Sequence, residues 1–393
     1  MQHYIIGPVR LVTAEGISEN REIEVRDGKI VRVQEAGTDK TLPRVDGGNE
    51  YCSAGFIDLH VHGGGGADFM DGTPEAFKTA ARAHMQHGTT SIVPTTLTAS
   101  LEELCQVFDI FREVKASAEA KELPDLLGIH MEGPYVAPAM AGAQDPAYIR
   151  NPEDGSYRLL ADAAKGSILI WTVAPELPGA AAICEDLKNE GIIFSLGHTE
   201  AKYDDARAAV EAGYTMATHL FSSMSTITRE NGFRKLGVIE TSLLMDEVTC
   251  EVIADGMHLP KELLTLIYKI KGKNRICLIT DAMRGATMPA GTYKLGSLKC
   301  GQDVFVGPDI ARMPDGISFA GSVATTDRLV RVMYKEVGLP LPEVIQMITE
   351  NPAREAHADD RKGKVAPGYD ADLVIFDDNI DIKHVFVRGT QTK

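Results

Sequence analysis

No stretch of this chain approaches the ~20 consecutive apolar residues that a membrane-spanning helix needs. Its opening residues, Met1-Gln2-His3-Tyr4-Ile5-Ile6, lack a basic segment followed by an apolar core. No secretory leader is therefore expected, and a cytoplasmic location follows. Cysteine is sparse: Cys52, Cys105, Cys184, Cys250, Cys277 and Cys300 are scattered, and none forms a Cys-x-x-Cys pair. That argues against a disulfide framework and a thiolate zinc site, and leaves reduced core cysteines. Positive charge is in deficit, with 40 Lys and Arg against 56 Asp and Glu and a formal net charge of −16. Such a field repels nucleic acid, although a few local cations suffice to hold a small phosphate. Internal repeats and low-complexity tracts are also missing. So is a Gly-x-Gly-x-x-Gly fingerprint after the first strand, which counts against a doubly wound nucleotide-binding sheet.

What is present suits one barrel of roughly 250 residues with an appendage, within a 393-residue globular chain. The organising stretch is Phe56-Ile57-Asp58-Leu59-His60-Val61-His62, followed by Gly63 to Gly66. As a β-strand it places Asp58, His60 and His62 on one face, and Ile57, Leu59 and Val61 on the other. A lone His-x-His is as often a pair of core histidines as a site. The rest of the chain has to decide.

Both ends read as short strands. Tyr4–Ile6, Arg10–Val12, Glu22–Val25 and Lys29–Val33 precede residue 52, with Asp27-Gly28 as a hairpin turn. Ala371–Phe376 and His384–Val387 lie at the other end. Neither end has enough strands to close a core alone. Between them strands alternate with helices, at roughly 55–61, 90–97, 127–132, 168–175, 192–198, 215–221, 250–255 and 276–281. Ser100-Leu101-Glu102-Glu103 is a capping box, and Thr73-Pro74 opens another helix. Glycine-punctuated short β runs over 284–320 suggest a hairpin-rich insertion after the eighth strand. The fold expected is α/β: a (β/α)8 TIM-like barrel over 53–361, plus a small β-sandwich domain built from 1–52 and 362–393.

In such a barrel the C-terminal strand ends carry the chemistry. His60 and His62 end the first strand, His130 and Glu132 the third, His198 the fifth, His219 the sixth, His258 the seventh and Asp281 the eighth. This clustering on one rim raises the metal-site reading well above chance placement. Nitrogen and carboxylate ligands suit Zn²⁺ or Fe²⁺, which polarise a carbonyl and acidify a water towards pKa ~7. Asp281, on the strand that closes against the first, can accept a proton and pass it to a leaving amine. The combination points to hydrolysis, most naturally of an amide. His130 reads equally as support behind the ligands or as a direct participant, and His3, His84, His87, His357 and His384 as non-catalytic.

His60-Val61-His62, Glu132, His198, His219 and Asp281, with Asn351-Pro352-Ala353 and the tail Gly363 to Val374, resemble the amidohydrolase superfamily. Within it, His130-Met131-Glu132-Gly133-Pro134, Gly142-Ala143-Gln144, Ser195 to Thr199, Ala217 to Phe221, Ala254 to His258 and Ala320-Gly321-Ser322 resemble the N-acetylglucosamine-6-phosphate deacetylase family. The resemblance runs from about residue 4 to 390. It implies that Glu132, His198 and His219 hold the main metal, and that His60 and His62 help hold a second with Glu132 and Asp281. Asp281 is then general base and acid. His258 contacts the sugar or the oxyanion, and Gln144 and Ala143 lie at the substrate. Ser222, Ser223, Phe319, Ala320, Gly321 and Ser322 line the sugar phosphate. Arg229 binds phosphate, with a homodimer implied.

The chain departs from the family pattern at Gln144, commonly His, and at Ser222-Ser223, commonly Asn-Ala. Its His219–Arg229 loop also looks one residue shorter. All three touch substrate contacts rather than the metal ligands. The expected reaction is removal of acetate from N-acetylglucosamine 6-phosphate with one or two divalent metals, Zn or Fe. The galactosamine isomer is the sibling substrate. A cyclic-amide or dipeptide hydrolase is less favoured, because Thr172-Val173-Ala174-Pro175-Glu176 offers no lysine at the fourth strand's end. A non-enzymatic assembly barrel would have lost ligands that are all present here.

Overall fold

The computed structural model describes residues 3–393. Eight strands rich in Val, Ile, Leu and Thr form its centre: Phe56–Val61, Thr89–Pro94, Ile129–Glu132, Ile168–Val173, Ile193–Leu196, Tyr214–Ala217, Thr249–Ile253 and Ile276–Ile279. Every residue in them except Thr215 is buried, as strands covered on both faces must be. The third to eighth pair in parallel in chain order, and the first pairs with the second. Parallel bridges Thr95 to His130 and Val61 to Ala282 join these two groups. The Asp281 amide also donates to the His60 carbonyl at 2.9 Å, so the result is a TIM-barrel-like α/β architecture.

One apolar cluster fills the space between strands and helices. A smaller one, with Val93, Ile170, Ile193, Met216, Ile253, Cys277 and Ile279, fills the barrel interior. Ile57 and Leu59 belong to that inner cluster, whereas Val61 belongs to the outer one. This corrects the alternation expected for the first strand. Pairing with the second strand is irregular between Asp58 and Val61, so the faces exchange there. Asp58 consequently turns to Thr280, whose hydroxyl donates to it at 2.5 Å, instead of joining the two histidines.

The helix signals act locally as expected. Ser100 Oγ accepts from the Glu103 amide at 3.2 Å while Glu103 accepts from the Ser100 amide at 3.3 Å. Thr73 caps the Pro74–Met85 helix through the Ala76 amide. All six cysteines are free, and Cys300 alone is exposed. Among the described residues no helix is long and apolar enough to cross a membrane.

The sandwich expected from the two ends takes the form of one continuous eight-stranded sheet. Leu373–Phe376 inserts antiparallel beside Tyr51–Ala54, so the two ends are joined by hydrogen bonds as well as by packing. The hairpin between Gly16–Arg26 and Lys29–Glu35 turns through Asp27 and Gly28 at φ 50° and 81°. Those positive angles match the right-handed twist of the flanking strands and explain the Asp-Gly pair. Lys362 ties this sheet to the barrel. Its buried ammonium reaches Asp372 at 2.5 Å, Asp370 at 2.9 Å and Asp125 at 3.3 Å.

The insertion after the eighth strand is a three-stranded antiparallel sheet of Gly291–Leu295, Gln302–Val306 and Ala311–Arg312. Arg284 holds it to the loop after the first strand. That side chain reaches the Asp71 carboxylate at 2.7 Å and donates to the carbonyls of Lys294 and Gly296.

Candidate active site

The rim positions converge. Glu132 is the last residue of its strand, and His198, His219 and Asp281 each lie two residues beyond theirs. These three adopt positive φ, at 48°, 32° and 50°. Non-glycine residues rarely occupy that region, and such strain concentrates at functional sites. Here the left-handed turn swings each side chain off the path of its strand and towards the barrel axis.

Glu132 is the hub. Its Oε1 lies 3.0 Å from His198 Nε2 and 2.9 Å from His219 Nε2, and those two nitrogens are 3.2 Å apart. Its Oε2 lies 3.4 Å from His62 Nε2. His60 and His62 face each other Nε2 to Nε2 at 3.3 Å, and Asp281 Oδ1 is 3.1 Å from His62 and 3.5 Å from His60. Two sets of donors therefore share one floor: Glu132, His198 and His219, and His60, His62 and Asp281.

Paired imidazole nitrogens pointing at one spot fit a divalent cation. The 3.2–3.3 Å separation within each facing pair is also the one that a tetrahedral Zn²⁺ with bonds of ~2.0–2.1 Å imposes on two of its nitrogens. The Nδ1 edge of His198 supports the fit. His198 Nδ1 donates to the Met140 carbonyl at 2.8 Å, which leaves Nε2 as the lone-pair edge. Burial keeps His60 neutral, its pKa well below the usual imidazole value. Burial opposes charge on His62 too, but its bond to Asp281 and the nearby Glu132 carry it up to about 9. Burial also disfavours the Glu132 carboxylate, yet the facing histidines hold its pKa well below the ordinary value. The cluster is electrically poised for positive charge at its centre.

Above these residues is a cavity of about 270 Å³, large enough for a sugar-sized ligand. His62, Glu132, Ala143, Gln144, His198, His219, Ser222, Ser223, His258, Asp281, Phe319 and Gly321 line it. The Gln144 amide is committed, donating to Glu132 Oε2 at 2.6 Å and accepting from the Thr98 amide at 2.6 Å. His258 is held by Asp255 at 2.8 Å and lies against the Phe319 ring, centroids 4.7 Å apart. Gly321 sits at φ 57°, where an added Cβ would come within 2.7 Å of the Asp281 carbonyl. Only glycine allows that approach.

Three further residues lie outside the cavity wall. Ala320 is buried behind it, and the Ser322 hydroxyl donates to the Thr280 carbonyl at 2.5 Å, bracing the loop that carries Asp281. Arg229 lies on the exposed hairpin of Thr228–Glu230 and Phe233–Lys235 and does not line the cavity of its own chain. Leu97, Leu295 and Ser318 line the cavity without having stood out in the sequence, since nothing marks them as polar strand ends. Glu251 also escaped notice: it lies inside the apolar run Thr249–Ile253, and its Oε2 is 3.1 Å from His60 Nδ1. A lone acid in a fully buried strand was the signal available.

Comparison with known proteins places this geometry among relatives. The chain is 33% identical over 390 residues to the N-acetylglucosamine-6-phosphate deacetylase of Lysinibacillus sphaericus, covering 98% of this chain and 96% of that one. It is 30% identical over 386 residues to the N-acetylgalactosamine-6-phosphate deacetylase of Escherichia coli O157:H7, covering 98% of each. The crystal structure of N-acetylglucosamine-6-phosphate deacetylase from Pasteurella multocida superposes with a TM-score of 0.92 at 28% identity, covering 99% of both chains. The model of the amidohydrolase family matches residues 51–392, the whole barrel and the C-terminal strands of the sheet, and this chain is a member of that family.

Proposed function

We propose that this protein hydrolyses the acetamide of N-acetylglucosamine 6-phosphate, giving glucosamine 6-phosphate and acetate. The observation that carries the reading is the convergence of Glu132, His198 and His219 on one point beside Asp281, at the floor of a sugar-sized cavity.

Glu132, His198 and His219 hold a divalent cation, Zn or Fe. His60 and His62 hold a second with Glu132 and Asp281. The chemistry a bound divalent cation supplies there is Lewis-acid polarisation of the acetamide carbonyl and acidification of a water towards pKa ~7. Asp281 takes the proton of the attacking water and returns it to the departing nitrogen. His258, fixed by Asp255, donates to the developing oxyanion or to the sugar. Gln144 and Ala143 border the acetyl end. Ser222, Ser223, Phe319 and Gly321 surround the sugar phosphate, with Ala320 and Ser322 behind them. Arg229 reaches the phosphate from a second copy of this chain. The exposed Ile227 and Phe233 beside it, 49% and 75% accessible, support a homodimer through that hairpin.

On this reading residues 53–361 are the catalytic (β/α)8 barrel, while 1–52 and 362–393 form the small β-domain; Met1 and Gln2 lie outside the described residues. The protein acts in the cytoplasm, without nucleic-acid or membrane partners. The galactosamine isomer is a second reading, favoured by the activity for which the Escherichia coli relative is named. Acetate release from the two phosphorylated sugars, with elemental analysis of the same preparation, tests both. Higher kcat/KM on the glucosamine isomer is expected, and no release from either sugar would reject the proposal.

A further inference from the structure

Glu251 is fully buried at the centre of the seventh barrel strand, where an unpaired acid costs several kcal/mol. Its neighbours Cys250 and Val252 face the outer cluster, so the carboxylate points into the barrel beneath the rim. One of its oxygens does two things. Oε2 lies 3.1 Å from His60 Nδ1 and accepts the backbone amide of His219 at 3.3 Å. Oε1 has no partner and lies 3.9 Å from His130 Nδ1.

The two groups gathered on Oε2 come from different ligand sets. His60 belongs with His62 and Asp281, and His219 with Glu132 and His198. His60 has two ring nitrogens, and only the Nδ1–H form donates to Glu251 while leaving the Nε2 lone pair towards His62 and Asp281. The His219 amide belongs to a residue in left-handed backbone, so its bond to Glu251 also secures a strained turn.

His60, His130 and Glu251 could be imagined as a cation site of their own. His130 argues against it: Nδ1 is engaged by the Leu59 carbonyl at 3.3 Å and Nε2 by the Thr172 hydroxyl at 2.7 Å. Neither nitrogen is left to ligate.

We infer that Glu251 is a positioning residue that sets both ligand groups from a single buried oxygen, fixing the tautomer of His60 and the backbone of His219. This rests on the proposed role of those histidines as metal ligands. A glutamine at 251 can put its one carbonyl oxygen where Oε2 stands and accept both donations. A leucine of similar size can accept neither.

The test is zinc titration of metal-free protein against a chelating competitor, for the native chain, Glu251→Gln and Glu251→Leu. Gln should bind zinc within about threefold of native. Leu should bind 10–100-fold more weakly, the usual loss when an outer-shell partner of a ligand is removed. Equal affinity in native and Leu proteins would overturn the inference alone, and so would a Gln variant as weak as Leu. Failure of the native chain to bind zinc would overturn the metal reading, and this inference with it. A second measurement needs no variant at 251. In zinc-loaded protein with ¹⁵N-labelled histidine, His60, assigned by its loss in His60→Gln, should carry its proton on Nδ1. A His60 with no proton on Nδ1 would equally overturn the inference.

Discussion

Gln144 donates from Nε2 to Glu132 Oε2 at 2.6 Å, leaving Oε1 of that carboxylate to His198 and His219. The amide therefore fixes which oxygen faces which histidines. Replacing it with leucine should weaken zinc binding about tenfold, as losing an outer-shell partner does, and histidine should restore much of the loss by supplying an N–H. Competitive zinc titration of Gln144→Leu and Gln144→His measures the difference.

Asp281 touches His62 at 3.1 Å and opens onto the cavity. Asp281→Asn keeps the shape and removes the base. Acetate release should fall by roughly 10²–10⁴-fold, the range for losing a general acid–base group, while the melting temperature stays close to native. Rates equal to native would remove Asp281 from the mechanism.

Metal removal should abolish acetate release reversibly. Zinc at 100 times its Kd should then stabilise the metal-free protein by about 2.7 kcal/mol, read as a rise in Tm. In His219→Ala that rise should shrink or vanish.

Arg229→Ala should raise KM for the phosphorylated sugar by roughly ten- to a hundredfold, the equivalent of a charged hydrogen bond worth about 1.5–3 kcal/mol, with little change for the unphosphorylated sugar. Phe233→Ser should shift sedimentation from dimer towards monomer. A monomeric native chain would remove the cross-subunit role of Arg229.

Acid stability should trace to the Lys362 cluster. Burial works against the Asp370 carboxylate, but Lys29, Lys362 and Arg361 outweigh it and hold its pKa at about 2, against 3.8 for a free group. A carboxylate depressed on folding contributes stability above its unfolded pKa and loses it as the pH falls through the folded value. The contribution should be complete above pH ~4 and disappear towards pH 2. Thermal melts across that window should drop steeply for the native chain and less for Asp370→Asn.

Much of this was legible in the sequence, because rim ligands are polar residues interrupting apolar runs. His198, His219 and Asp281 each follow a buried strand, and that contrast is visible without coordinates. The alternation of the first strand was not. Ile57 and Leu59 obey the barrel interior, and the register irregularity that turns Asp58 to Thr280 leaves no mark in residue types. Glu251 was hidden differently, since one acid between cysteine and valine reads as an ordinary strand residue until its partners from distant strands are seen. Ser322 looked like a substrate contact, yet its hydroxyl is taken by the Thr280 carbonyl, a pairing across 42 positions of chain.

The positive φ angles at His198, His219 and Asp281 carry a last consequence. A glycine at Asp281 would let the backbone relax and should make the metal-free protein harder to melt, even as it deletes the chemistry, whereas at His198 or His219 the same gain is outweighed because the buried Glu132 carboxylate loses a partner. A valine or isoleucine at any of the three would clash and should not fold well. The rim is thus where resistance to heat and readiness to react pull against each other, and selection for a hardier protein without selection for activity should reach Asp281 early.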